Sequence, residues 1–172
     1  MLDRVRIWEA ARATSAATTF FEPITIDGQA FSDGATGANN PVDELWVEAS
    51  AIFSTGPGWN LEDHLNCFVS IGTGVPSLKA FSDSIKDVAK ALVDIATSAN
   101  GRAEQFQRQH PLLFKTKAAF RFNVIQGLEG IGLDEASRLA DIESITDRYV
   151  ASQSVLEQME DCVRVLRQHC TS

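Results

Sequence analysis

Polar and apolar positions alternate along this chain with two different periods. In residues 4–17, RVRIWEAARATSAA, alanine recurs at Ala10, Ala11, Ala13, Ala16 and Ala17, a run of high helix propensity whose small side chains let a helix sit close to a neighbour. The period then falls to two in PITIDGQAFSD. Ile24 and Ile26 flank Thr25, Asp27-Gly28 supplies a turn with φ > 0, and a second strand ends at Asp33. Asn40-Pro41 opens a second helix, PVDELWVEASAIF, with Asn40 as N-cap, Pro41 at the first helical position, and Asp43 and Glu44 beside the positive end of the helix. After the breaker STGPGWN, the run NCFVSIG is almost wholly apolar and of strand length, which predicts a central strand covered on both faces.

Helical spacing returns in DSIKDVAKALVDIATSA, where Ile85, Val88, Ala89, Leu92, Ile95 and Ala96 share one face. The polar stretch RAEQFQRQH that follows also reads as helical, and AAFRFNV alternates Phe120, Phe122 and Val124 as a strand with one buried face. GLEGIGLDE reads as a loop. From Asp134 the chain reads as helical to its end, with an inner stripe of Ile142, Ile145, Tyr149, Ser152, Val155, Leu156, Met159, Cys162, Val163 and Leu166. The order of elements is α/β, a sheet flanked by helices. Only about four strands are visible and two belong to a hairpin. Such a sheet is thin for this many helices, whose apolar faces predict partners beyond those visible in the chain.

Composition narrows the function classes. The 172 residues predict one domain, with ordinary apolar (44%) and charged (22%) shares. The net charge of −8 favours solubility and argues against electrostatic binding to nucleic acid or an anionic membrane. No secretory h-region and no long apolar run is visible, so no transmembrane segment is expected and the expected location is cytoplasmic. Cys67, Cys162 and Cys170 form no C-x-x-C. His64, His110 and His169 form no zinc-binding spacing, so neither a metal nor a cofactor is expected.

Two glycine-rich stretches compete as sites. SIGTGVPSL carries Gly72-x-Gly74 after an apolar strand, but Ser77 stands where a dinucleotide fingerprint needs its third glycine. The simpler reading is a tight strand exit where side chains would collide. In FSDGATGANNPV, Asp33 ends a strand, Gly34 allows unusual backbone angles, and a helix begins at Pro41. Sites in α/β folds gather where strand ends meet helix N-termini, whereas Asp-Gly is also the commonest turn signal. On the residues alone Asp33 is either a turn or cap residue, or half of a reaction centre. Ser15, Ser70 and Ser77 lack a nucleophile-elbow context. His64 beside Glu62 and Asp63 reads as a solvated cluster, and Trp8, Trp46 and Trp59 read as packing residues.

From Ile7 to Val42, and in VSIGTG at 69–74 and FRFNVIQGLEGIGLDEASRLADI, the chain resembles the patatin-like phospholipase family, with the Asp33-Gly34-Ala35 triplet and the Asn39-Asn40-Pro41 that follows as its most distinctive matches; the tail resembles fungal members. The resemblance implies a partial three-layer sheet flanked by helices, in which residues 1–172 are the C-terminal part of a single domain whose N-terminal half is missing, and about 134–172 form a helical segment. It also implies a Ser–Asp dyad. A serine in G-x-S-x-G attacks a lipid ester, the aspartate of the D-G-[AG] motif takes its proton, and a glycine-rich turn holds the oxyanion. Asp33 would be that proton acceptor. Gly34 and Ala35 would leave room for substrate, and Asn39 and Asn40 would brace the loop. None of the 11 glycines has serine two positions later and no Gly-Gly pair occurs. The expectation is therefore a lipid acyl hydrolase fragment, inactive alone, that meets a lipid or acyl ester substrate only with its missing half. The alternative is a non-catalytic module of the same fold that docks a protein partner through its C-terminal helix.

Overall fold

The computed structural model describes residues 5–17, 21–34, 37–75, 86–129, 131 and 135–169, with side chains described except at 86–97 and 169. The chain divides into two compact units, residues 1–41 and 42–172.

In the smaller unit, helix α1 (Ile7–Thr14) is shorter at both ends than the alanine pattern predicts. At its start the Glu9 carboxylate reaches back to accept the Arg6 N–H at 2.8 Å, satisfying a donor that the helix itself cannot. At its end the hydroxyls of Thr14 and Ser15 both turn back to the Ala11 carbonyl, at 3.1 and 2.8 Å, and compete with further helical bonding. Strands β1 (Ile24–Ile26) and β2 (Gln29–Phe31) form the expected antiparallel hairpin, with Ile26 opposite Gln29. Asp27 (φ 48°) and Gly28 (φ 79°) both occupy the left-handed region, as a tight two-residue hairpin turn requires. Strand β2 ends at Phe31, two residues before Asp33. The Asp33 N–H has left the ladder and donates to the Ala16 carbonyl at 2.9 Å. Ala16 and Ile26 are buried, whereas Trp8, expected to pack, is 57% exposed.

The larger unit opens with α2 (Val42–Phe53), one residue later than Pro41. Strands β3 (Phe68–Ile71) and β4 (Ala119–Phe122) pair in parallel, with Phe68 opposite Ala119 and Ser70 opposite Arg121. A parallel pair needs a long crossover. Here it is α3 (Lys86–Gln109), one 24-residue helix spanning both helical stretches of the sequence, followed by α4 (Pro111–Lys115) with proline in its first turn. The core beneath the crossover contains Val42, Phe68, Phe106, Leu113 and Ala119, with Trp46, Leu65 and Phe114 partly buried around it. Phe106, 2% exposed, stacks on Phe68 at 5.2 Å and meets Trp46 edge-on at 5.4 Å. Fully burying a phenylalanine contributes about 1.5–3 kcal/mol, so this one ring is a large part of the unit's cohesion.

The strand exit explains its glycines. A Cβ on Gly72 would lie 2.2 Å from Asn123 Oδ1 and 2.6 Å from Arg121 Nη2, and Gly74 has φ +100° with Leu128 Cδ1 at 2.7 Å from any added Cβ. The collision inferred from the sequence is present. Asn123 occupies the space, accepting the Gly74 N–H at 2.9 Å, donating to Asn100 Oδ1 at 3.1 Å and, through its backbone N–H, to the Tyr149 hydroxyl at 3.0 Å.

Beyond a short 3₁₀ turn at Ala136–Arg138, the C-terminal segment is two helices, α5 (Leu139–Val150) and α6 (Gln153–His169), rather than one. Asp134, where the pattern begins, lies outside the described residues. Helix α6 meets β4. Gln158 Nε2 donates to the Arg121 carbonyl at 3.3 Å, and Lys117, two residues before the strand, pairs with Asp161 at 2.5 Å. Phe120, Val155 and Cys162 are buried, but Leu156, Met159, Val163 and Leu166 of the same stripe are substantially exposed. Strand β3 departs from the expectation of a strand covered on both faces. It pairs on one side only among the described residues, and Ile71 is 78% exposed. By the register, Val69 and Ile71 share a face with Phe120 and Phe122, and the helix that meets β4 leaves β3's part of that face uncovered. No described helix is long and apolar enough to cross a membrane.

Two measurements check this packing. Gly72→Ala is expected to lower unfolding free energy by roughly 2 kcal/mol or more through overpacking. Gly101→Ala is expected to raise it by about 0.5–1 kcal/mol, because Gly101 lies inside α3 with nothing within 4 Å of an added Cβ. Urea unfolding reads both. Asp161 is the second test. Its hydrogen bond to Lys117, that residue's charge and Arg164 hold its carboxyl below the usual carboxylate range. The stabilisation is therefore full above the unfolded value of about 4 and disappears as pH falls through the native one. The stability gap between wild type and Asp161→Asn should be present at neutral pH and close in acid.

Candidate active site

Asp33 is held by its backbone before its side chain is considered. Its N–H is tied to the Ala16 carbonyl just beyond α1, its neighbour Phe31 closes the hairpin, and the chain after it folds into a tight turn. The Gly34 carbonyl accepts the N–H of both Gly37 (3.0 Å) and Ala38 (2.6 Å). Three local devices, a helix end, a hairpin and a turn, therefore converge on one half-buried carboxylate.

The supporting residues separate. Gly34 does not adopt a left-handed conformation, and a Cβ added there would meet only the Ala38 Cβ, at an ordinary 3.6 Å. The expectation that Gly34 supplies unusual backbone angles is thus corrected: nothing described in this chain needs glycine at 34. Ala35 lies outside the described residues. Asn39 is exposed and Asn40 is buried at 7% exposure, so only the second sits where it can brace an interior.

Arg12 was not singled out by sequence reasoning. On α1 it donates through Nη2 to the Glu22 carbonyl at 2.7 Å, lies over the Phe21 ring at 5.4 Å, and keeps Nη1 buried without a hydrogen-bond partner. It fastens the helix to the approach of β1. The signal was a cation set among the alanines of that helix.

Other chemistry is engaged elsewhere. Ser15 donates to the Ala11 carbonyl, Ser70 accepts from Arg121 Nη1 at 2.8 Å, and Ser77 lies outside the described residues. His64 stacks on Trp59 (5.1 Å, 8°), whereas Glu62 turns to His110 Nδ1 at 2.5 Å, so the sequence neighbours Glu62 and His64 serve different contacts. Burial, with Cys162 beside it, pushes the Cys67 thiol up to about 11, leaving it protonated and a poor nucleophile at neutral pH. No group of three or more His, Cys, Asp or Glu able to hold a metal ion occurs among the described residues.

A family model described as patatin-like phospholipase matches residues 1–46, which include Asp33 and its turn. The chain is similar to "Phospholipase A I" of Arabidopsis thaliana, 30% identical over 132 residues that cover 76% of this chain and 10% of that protein. It is also similar to "Calcium-independent phospholipase A2-gamma" of Mus musculus, 25% identical over 169 residues, covering 97% and 20%. A third relative is the "85/88 kDa calcium-independent phospholipase A2" of Rattus norvegicus, 29% identical over 181 aligned positions, covering 93% and 22%. The chain spans about a tenth to a fifth of the length of these relatives. No solved structure matches.

The Gly34 geometry is directly testable. Gly34→Ala is expected to change the chain's unfolding free energy by less than about 0.5 kcal/mol, the range of surface substitutions without a packing conflict. A larger loss in urea unfolding would mean that the turn itself needs glycine.

Proposed function

This chain belongs to the patatin-like phospholipase family, and from that premise we propose that it carries the acid of a Ser–Asp dyad, Asp33, for hydrolysis of a lipid acyl ester. In this reading the serine and the oxyanion donors come from outside these 172 residues, which contain no G-x-S-x-G and no Gly-Gly pair. Asp33 accepts the serine proton as the hydroxyl oxygen attacks the ester carbonyl, then returns a proton to the departing alcohol. Water resolves the acyl-serine by the same route. The observation that carries the reading is the convergence of α1, the hairpin and the 34–38 turn on Asp33. The clearance at Gly34 supports it further: glycine there is not required by anything described in this chain, which fits a position kept small for a group arriving from outside.

A second reading, a non-catalytic module of the same fold, is favoured by the exposed stripe Leu156, Met159, Val163 and Leu166 on α6, which offers a face to a protein partner.

The readings separate by activity. The 172-residue chain alone is expected to hydrolyse a p-nitrophenyl acyl ester no faster than background. In a polypeptide that also contains the serine segment, Asp33→Asn should lower kcat by on the order of 10³–10⁴, with KM little changed, as loss of a dyad or triad acid does. Full activity in that variant would refute the assignment of Asp33.

A further inference from the structure

Ser70 and Arg121 face each other across the β3–β4 pair, and Arg121 Nη1 donates to Ser70 Oγ at 2.8 Å. Both line a cleft of about 440 Å³ against α3, within the size range of small-ligand pockets. The wall is mainly apolar: Val75, Phe114 and Ile125 are its accessible apolar side chains, whereas Phe68 and Phe106, which also line it, are largely buried. A guanidinium there is out of place unless something completes it. It has five N–H donors and no acceptor, and burial already works against its charge, pulling its pKa down. Among the described residues no carboxylate pairs with it. Glu104, the acid that lines the same cleft, pairs with Arg108 at 3.5 Å. Tyr149, whose field favours the charge, already accepts the Asn123 N–H. The chain as a whole carries −8, so an anion drawn to this place is drawn by local chemistry.

We propose that this cleft binds a single-chain anionic amphiphile, its head on Arg121 and Ser70 and its chain against Val75, Phe114 and Ile125. A carboxylate or phosphate head takes the unused guanidinium donors as charge-assisted, bidentate hydrogen bonds, and the Ser70 hydroxyl, which accepts from Arg121, donates its own proton to the same head. These accessible side chains supply the apolar contact. The site needs neither Asp33 nor turnover, so its failure and that of the dyad reading are separate outcomes.

The test is calorimetric titration of the 172-residue chain with decanoate, decyl phosphate and decanol, each below its aggregation concentration. Saturable one-to-one binding of an anionic ligand is expected. Wild type should bind decanol at least about tenfold more weakly, the scale of losing hydrogen bonds to a charged group. Arg121→Gln should lose affinity for the anionic ligands by about tenfold or more, Arg121→Lys should recover part of it, and Ser70→Ala should cost less. Whichever of decanoate and decyl phosphate binds more tightly identifies the head group. The proposal is overturned if no anionic ligand saturates the chain, if decanol binds as tightly as they do, or if folded Arg121→Gln keeps wild-type affinity. Should that variant not fold, the wild-type comparison with decanol decides alone.

Discussion

Phe106 is the contact on which the larger unit depends. Two four-residue strands paired in parallel have little stability of their own, and the chain must travel through more than forty residues to make the pair. That excursion is compensated only if the crossover helix lays apolar surface on the strands. Phe106, from the last turn of α3, stacks on Phe68 of β3 and meets Trp46 of α2 edge-on. One ring thus joins the strand, the helix that precedes it and the helix that follows it. His110, one turn later, continues the cluster at 4.6 Å from Phe106 and is anchored at Nδ1 by Glu62. Removing the ring would separate three elements at once, which a loss of comparable area at an edge would not do.

The two faces of that strand pair are treated unequally, and the chemistry follows the division. On one face, Phe68 and Ala119 enter the core while Ser70 and Arg121, two residues along, stay half-buried in the adjoining cleft. On the other, α6 reaches Phe120 but leaves Ile71 in the open. Alternation along a strand makes this arrangement possible: each step of one residue changes face, so a strand of four places two side chains in each environment. The glycines at 72 and 74 then end β3 where Asn123 needs room, and Asn123 links the strand exit to α3 and to Tyr149 of α5.

In the smaller unit the logic is local. Every device around Asp33 lies within about twenty residues: the end of α1, the left-handed Asp27-Gly28 turn, and the doubly bonded Gly34 carbonyl. Backbone hydrogen bonds thus fix the place of Asp33 in the chain. The burial of Asn40 and exposure of Asn39 show how the same residue type, twice in succession, serves two environments.

The sequence by itself determined the local elements. Short-range rules govern them: alanine propensity in α1, a two-residue period with Asp-Gly in the hairpin, the Asn-Pro entry to α2, and the close-packed glycines after β3. Asp33 was legible as a candidate because motif and turn chemistry coincide there. What only the tertiary structure decided depends on distant residues. Gly34 proved conformationally ordinary, outside the left-handed region that favours glycine. The two helical stretches at 83–110 carry no strong breaker between Lys86 and Gln109 and form one helix, and the C-terminal pattern broke at Ala151–Ser152. The expected central strand has an open face because coverage is a property of neighbours, not of apolar composition. Arg121 in the run AAFRFNV was a visible exception, but its meaning depended on register: only the pairing with Ser70, 51 residues earlier, turned a lone cation in a strand into one wall of a cleft.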